Sequence, residues 1–88
     1  LTTGAVCVYH DMVETAVRAL EGTAIPVAAV STGFPAGLSP FRLRIAEIGE
    51  SVQAGAAEID IVISRRHVLT QNWQILYDEM AEMRAACG

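Results

Sequence analysis

The chain has 88 residues, 52% of them hydrophobic and 18% charged, with a formal net charge of −4 at pH 7 and a pI near 4.9. That acidic balance excludes a nucleic-acid surface, which needs a basic face against phosphates, and the mean hydropathy of +0.37 excludes a disordered chain. Cys7 and Cys87 are too few and too distant for a disulfide framework or a metal site, and they fit a reducing, cytoplasmic setting.

The first predicted strand covers about residues 5–9 and reads Ala5-Val6-Cys7-Val8-Tyr9, β-branched and aromatic. A helix over about 12–21 follows, with Asp11 as N-cap and Glu14 three residues on in a capping-box arrangement. Val13, Ala16, Val17 and Leu20 recur at helical spacing, and Gly22 suits the position past the helix end. The second strand spans about 25–31, its Pro26 near the start where a missing donor is tolerated. The turn Gly33-Phe34-Pro35-Ala36-Gly37 ends it. Ser39 then caps a helix over about 40–54 with Pro40 at its first position, Phe41, Ile45, Ile48 and Val52 as its buried stripe, and Gly55 to close it.

The third strand, about 58–63, reads Glu58-Ile59-Asp60-Ile61-Val62-Ile63. After a short connection Thr70 caps a last helix over about 71–87, whose apolar face is Trp73, Leu76, Met80, Met83 and Cys87. No low-complexity segment interrupts this series, and no signal peptide is legible in it. The uncharged stretch from Gly22 to Phe41 is long enough to cross a bilayer. Pro26, Pro35 and Pro40 interrupt it, so it predicts no membrane helix.

Strands alternating with helices imply a parallel sheet with right-handed crossovers. A small domain hides only about 60% of its unfolded surface, so an apolar load this high suits the interior of something larger. A complete (βα)₈ barrel takes about 250 residues, and three strand–helix units amount to part of one. The expected fold is therefore α/β, a partial (βα)₈ barrel forming a fragment of a single domain.

Side chains alternate along a strand, so Ile59, Ile61 and Ile63 share one face and Glu58, Asp60 and Val62 the other. The isoleucines suit contact with the covering helices, which turns Asp60 toward the barrel interior or another helix layer. An ionised carboxylate there needs a cation, donors or water, and such an arrangement marks a site. An antiparallel strand with both carboxylates in solvent is the plain alternative, and the strand–helix alternation argues against it. Glu58, at the strand's beginning, is expected at the non-catalytic end. For the rest the structural reading prevails: Cys7 and Cys87 as packed cysteines, His10 and His67 as surface histidines, Arg65 and Arg66 as a solvated pair or a salt bridge, and Gly33 to Gly37 as a plain turn.

Three segments together resemble the deoxyribose-phosphate aldolase family. They are Val6-Cys7-Val8-Tyr9, the run from Val27 to Gly37 ending Gly-Phe-Pro-Ala-Gly, and Gly55-Ala56-Ala57-Glu58-Ile59-Asp60-Ile61-Val62-Ile63. The tail from Val68-Leu69-Thr70-Gln71-Asn72-Trp73 to Arg84-Ala85-Ala86-Cys87-Gly88 resembles the branch that includes the animal enzymes. The resemblance implies strands two to four, with their helices, of a class I barrel aldolase. Such an enzyme reversibly cleaves 2-deoxyribose 5-phosphate to acetaldehyde and glyceraldehyde 3-phosphate through a lysine Schiff base, without a metal or other cofactor. It implies proton donation and acceptance by Asp60 and a pocket-lining role for Cys7. It also implies a small phosphorylated sugar as the only ligand, with no nucleic-acid or membrane partner, in the cytoplasmic degradation of deoxyribonucleotides. The family's usual proline after Cys-Val-Tyr is His10 here, and Leu1-Thr2-Thr3 echoes an active-site segment from which no role is transferred.

All six cationic side chains are arginines, at 18, 42, 44, 65, 66 and 84. An imine requires a primary amine held partly neutral, and arginine stays protonated. The Schiff-base lysine is thus expected outside these residues, and the chain alone is expected to be inactive. The residues by themselves leave two other readings open: a barrel lyase or isomerase using Asp60 as base or metal ligand, and a non-enzymatic α/β module. Against the module, no Gly-rich phosphate loop follows the first strand. Oligomeric state is not legible, so a homo-oligomer stays open.

Overall fold

A computed structural model describes residues 1–88 and places three parallel strands in one sheet, with residues 13–20 and 54–56 packed against one face of it. Strand β1 is Val6–Tyr9, β2 is Val27–Val30 and β3 is Glu58–Asp60, in the order β1-β2-β3. A 3₁₀ turn over His10–Met12 leads into α1, Val13–Ala19; α2 is Phe41–Ala54, α3 is Arg65–Leu69 and α4 is Trp73–Ala86.

The register sets three rows across the sheet. Cys7, Ala28 and Glu58 form the first, Val8, Ala29 and Ile59 the second, and Tyr9, Val30 and Asp60 the third. Paired residues of parallel strands project to one side, and successive residues alternate. The middle row packs with Val13, Val27, Ala16, Val17, Leu20, Ala54 and Ala56 against the helices. The first and third rows therefore share the opposite face, on which no helix lies.

Parallel sheets are ordinarily covered on both faces. This one is covered on one face only, and both edge strands are free. The consequence shows in the dimensions: the radius of gyration is 14.0 Å, against about 12 Å for a compact domain of this length. Large apolar side chains stay exposed as well, among them Leu38, Leu69, Trp73 and Tyr77.

Several local expectations are corrected. The third strand ends at Asp60 instead of near 63. Beyond Asp60 the ladder is replaced by a side chain, because the Thr32 hydroxyl accepts a hydrogen bond from the Val62 N–H at 2.6 Å. The short connection expected before Thr70 contains α3. Thr70 does not cap α4: its hydroxyl donates back to the Arg66 carbonyl at 2.7 Å, finishing α3, and Asn72 takes the cap position of α4. Asp11 lies inside the 3₁₀ turn, so Met12 precedes α1 and no side chain caps it. Pro40, at φ −51° and ψ 140°, is extended, which starts α2 one residue later and leaves Ser39 without a capping bond. On α4, Met83 is buried while Trp73 and Met80 of the expected apolar face are exposed.

Gly37 is held at φ +69°, where a Cβ would stand 2.7 Å from Val62 Cγ1. That approach locks the loop after β2 against the chain leaving β3. Gly37→Ala should destabilise the intact protein by about 1–3 kcal/mol, since backbone strain and overpacking act together. The check is the midpoint of chemical denaturation. An unchanged midpoint would show that the loop moves freely.

Candidate functional site

The uncovered face carries the chemistry-bearing side chains of the two edge strands, β1 and β3. At its C-terminal end the third row sets the Asp60 carboxylate in line with Tyr9, with Val30 between them. Tyr9 packs edge-on against Phe34 of the loop after β2, ring centroids 5.7 Å apart. Cys7 and Glu58 lie one row deeper, with Ala28 between them. Two strand spacings across and two residues back put Cys7 about 12 Å from Asp60. The two predicted site residues thus share one face, as does Glu58.

Asp60 and Cys7 are both exposed. The expectation of a packed Cys7 is therefore corrected, because the helices lie on the other face. No hydrogen bond or ion pair within the chain reaches the exposed Asp60 carboxylate, which is free to meet water or a ligand. Its backbone is firmly held: the Asp60 carbonyl accepts from the Ser31 N–H at 2.9 Å.

The residue that sequence reasoning missed is Arg44. It is 2% exposed and ties together the chain leaving β2 and the chain leaving β3. Its Nε donates to the Thr32 carbonyl at 2.9 Å, one terminal nitrogen donates to Ser64 Oγ at 2.8 Å, and the other donates to the Val62 carbonyl. Its guanidinium also lies over the Phe41 ring at 5.8 Å. Thr32, fully buried, takes a left-handed φ of 56°, an uncommon conformation for a β-branched residue. That strain is sustained by these bonds and sits directly beyond the row that contains Asp60. A signal was present in the sequence: Arg44 falls three residues after Phe41 and four before Ile48, inside the apolar stripe of α2.

Two further placements differ from expectation. His67 is buried rather than on the surface, because α3 folds it beneath α4, with its Nε2 3.5 Å from Glu79 Oε2. His10, exposed at the end of β1, lies 3.6 Å from Glu47 Oε1, which also accepts weakly from the Gly33 N–H at 3.4 Å. Arg65 is not simply solvated; it donates to the Ala36 carbonyl at 3.0 Å across the same pair of loops. No group of three metal-ligating side chains is assembled within this chain.

No protein-family model matches the chain. Among curated proteins it is similar to the deoxyribose-phosphate aldolase of Mus musculus, 53% identical over 90 residues, an alignment covering 100% of this chain and 28% of the mouse protein. Two solved structures share the fold of the segment. One is a crystal structure from Coccidioides immitis with a provisional assignment as the same aldolase; it has a TM-score of 0.88 and 29% identity over 94% of this chain and 32% of that one. The other is an aldolase called QR15, with a TM-score of 0.85 and 28% identity over 94% of this chain and 36% of that one. The chain thus spans a little over a quarter of the length of the mouse relative.

Proposed function

This chain is homologous along its whole length to deoxyribose-phosphate aldolases, and on that premise we propose that it supplies three of the eight strand–helix units of such an enzyme. The parent would cleave 2-deoxyribose 5-phosphate reversibly to acetaldehyde and glyceraldehyde 3-phosphate, through a Schiff base on a lysine of another strand. The observation that carries the reading is the third row of the sheet. It puts the Asp60 carboxylate on the face that no helix covers, at the C-terminal end where barrel enzymes hold their sites.

In that position Asp60 would face the amine of a neighbouring strand. A carboxylate there orders a water molecule and exchanges protons as the carbinolamine loses water and the enamine is protonated. The lysine supplies the covalent step, and this chain supplies the acid–base partner. Cys7, one row deeper on the same face, would form part of the pocket wall beneath the reacting carbon atoms. The phosphorylated sugar is the substrate class, and the cell compartment would be the cytoplasm. No helix here is long and apolar enough to cross a membrane.

Borohydride reduction with substrate tests the reading. The intact parent should become covalently labelled on a lysine, and peptide mapping should place the label outside residues 1–88, since all six cations here are arginines. The isolated 88-residue chain should neither take the label nor turn over substrate. An intact parent that cleaves the sugar without being trapped would instead favour a barrel lyase in which Asp60 is a lone base.

A further inference from the structure

Between the loops that follow β2 and β3 lies a cavity of about 210 Å³, away from the row that holds Asp60. Its wall includes Arg44, Arg65, Arg66, Ser64 and Ser39, with Glu79 as the only carboxylate. Three arginines against one carboxylate leave this pocket positive, in a chain whose net charge is −4.

The imbalance is sharpest at Arg44. A buried cation is ordinarily paired with an acid, because an uncompensated buried charge costs several kcal/mol. Every acceptor of Arg44 is neutral: two carbonyls and a hydroxyl. Each ion pair in the chain joins a histidine to a glutamate, so no carboxylate stands at ion-pair distance from any arginine; Glu79 reaches His67 through Oε2, and its buried Oε1 has no partner. A guanidinium offers five N–H donors, so Arg44 keeps two beyond the three it uses.

A second feature points the same way. The fourteen-residue helix α2 begins at the cavity wall, with Ser39, Pro40 and Phe41 in the lining. Its first turn has no acidic residue and no side-chain cap. The free N–H groups and the positive end of that helix are thus left without a negative partner.

We propose that this cavity binds a small oxyanion of two negative charges, the phosphate group of inorganic phosphate or of a phosphomonoester. Arg44 forms the buried floor of the site, the first turn of α2 one wall, and Arg65 and Arg66 the rim. The site is separate from the reacting centre proposed for Asp60 and does not depend on it. An anion bound here neutralises Arg44 and tightens the join between the loops after β2 and β3.

The test is calorimetric titration of the intact parent protein with inorganic phosphate and, separately, with glycerol 3-phosphate. In Arg65→Gln/Arg66→Gln, both at exposed positions, binding should weaken by roughly tenfold or more, the loss expected for charge-assisted hydrogen bonds. Arg44→Lys, which keeps the charge and loses the fork, should weaken it as well, and added salt should weaken the wild type. Thermal melting of each variant establishes that it is folded. A larger affinity for glycerol phosphate assigns the site to esters, and equal affinities assign it to the free anion. Titrations of wild type and the double variant that superimpose, or no binding in the wild type, overturn the proposal. Aldol cleavage measured on the same samples reports separately on the aldolase reading.

Discussion

Asp60→Asn in the intact parent, if it is the aldolase proposed above, should lower turnover by about 10²–10⁴-fold, the usual contribution of a positioned acid–base group. Asparagine matches aspartate in shape and retains a carbonyl acceptor, but it does not exchange protons at neutral pH. The fold should tolerate the change. Asp60 lies on the uncovered face, and what secures it to β2 is its backbone, which accepts from the Ser31 N–H. No side-chain bond within these three units is lost. Stability should therefore shift by no more than about 0.5 kcal/mol. The measurements are kcat under saturating substrate and the denaturation midpoint of the same sample. Turnover at the wild-type level would remove Asp60 from the mechanism, and a collapse in stability would show that its partners are structural.

Arg44→Ala should have the largest effect on stability, a loss of about 3 kcal/mol or more. The substitution strips donors from the Thr32 and Val62 carbonyls and from Ser64 Oγ at once. It also opens a hole beneath Phe41, over which the guanidinium lies. For a domain of 150–250 residues that loss corresponds to a fall in Tm of about 6–12 °C. Arg44→Lys should fall between the two, since an ammonium replaces the fork with a single point of contact. Differential scanning calorimetry decides the matter. A variant within about 0.5 kcal/mol of wild type would mean that water replaces all three bonds without cost.

The clamp and the catalytic proposal meet at one place. Thr32, Val62 and Ser64 follow the strands whose ends carry Val30 and Asp60. The loop after β2 is further seated by Gly37 against Val62 and by Arg65 on the Ala36 carbonyl. Asp60 thus stands beside a hydrogen-bonded join, which suits the sub-ångström placement that the proposed acid–base role requires.

Much of this was legible in the residues. The β-branched runs at Val6–Tyr9 and Val27–Val30 and the helical spacing of Phe41, Ile45, Ile48 and Val52 carry the alternation of strand and helix. The two-residue period of Glu58-Ile59-Asp60 separates the isoleucine from the carboxylates. The helix starts were not legible. Asp11, Ser39 and Thr70 are all good capping residues, but a 3₁₀ turn, an extended proline and an extra helix took their places. Local propensity is worth about 1 kcal/mol at a cap, and tertiary packing outweighs it.

The sequence alone determined that the chain is a parallel α/β segment, that Asp60 opposes Ile59, and that no lysine is present for an imine. These follow from the period of side chains along a strand and from composition, both local properties. Only the tertiary structure decided that Cys7, Glu58 and Asp60 share one uncovered face, that His67 is buried, and that Arg44, twenty residues before Ser64, ties the chain leaving β2 to the chain leaving β3. Strand register and the partners of a buried charge depend on which distant segments meet; the place of Arg44 in the apolar stripe of α2 hints at its burial but not at what it binds.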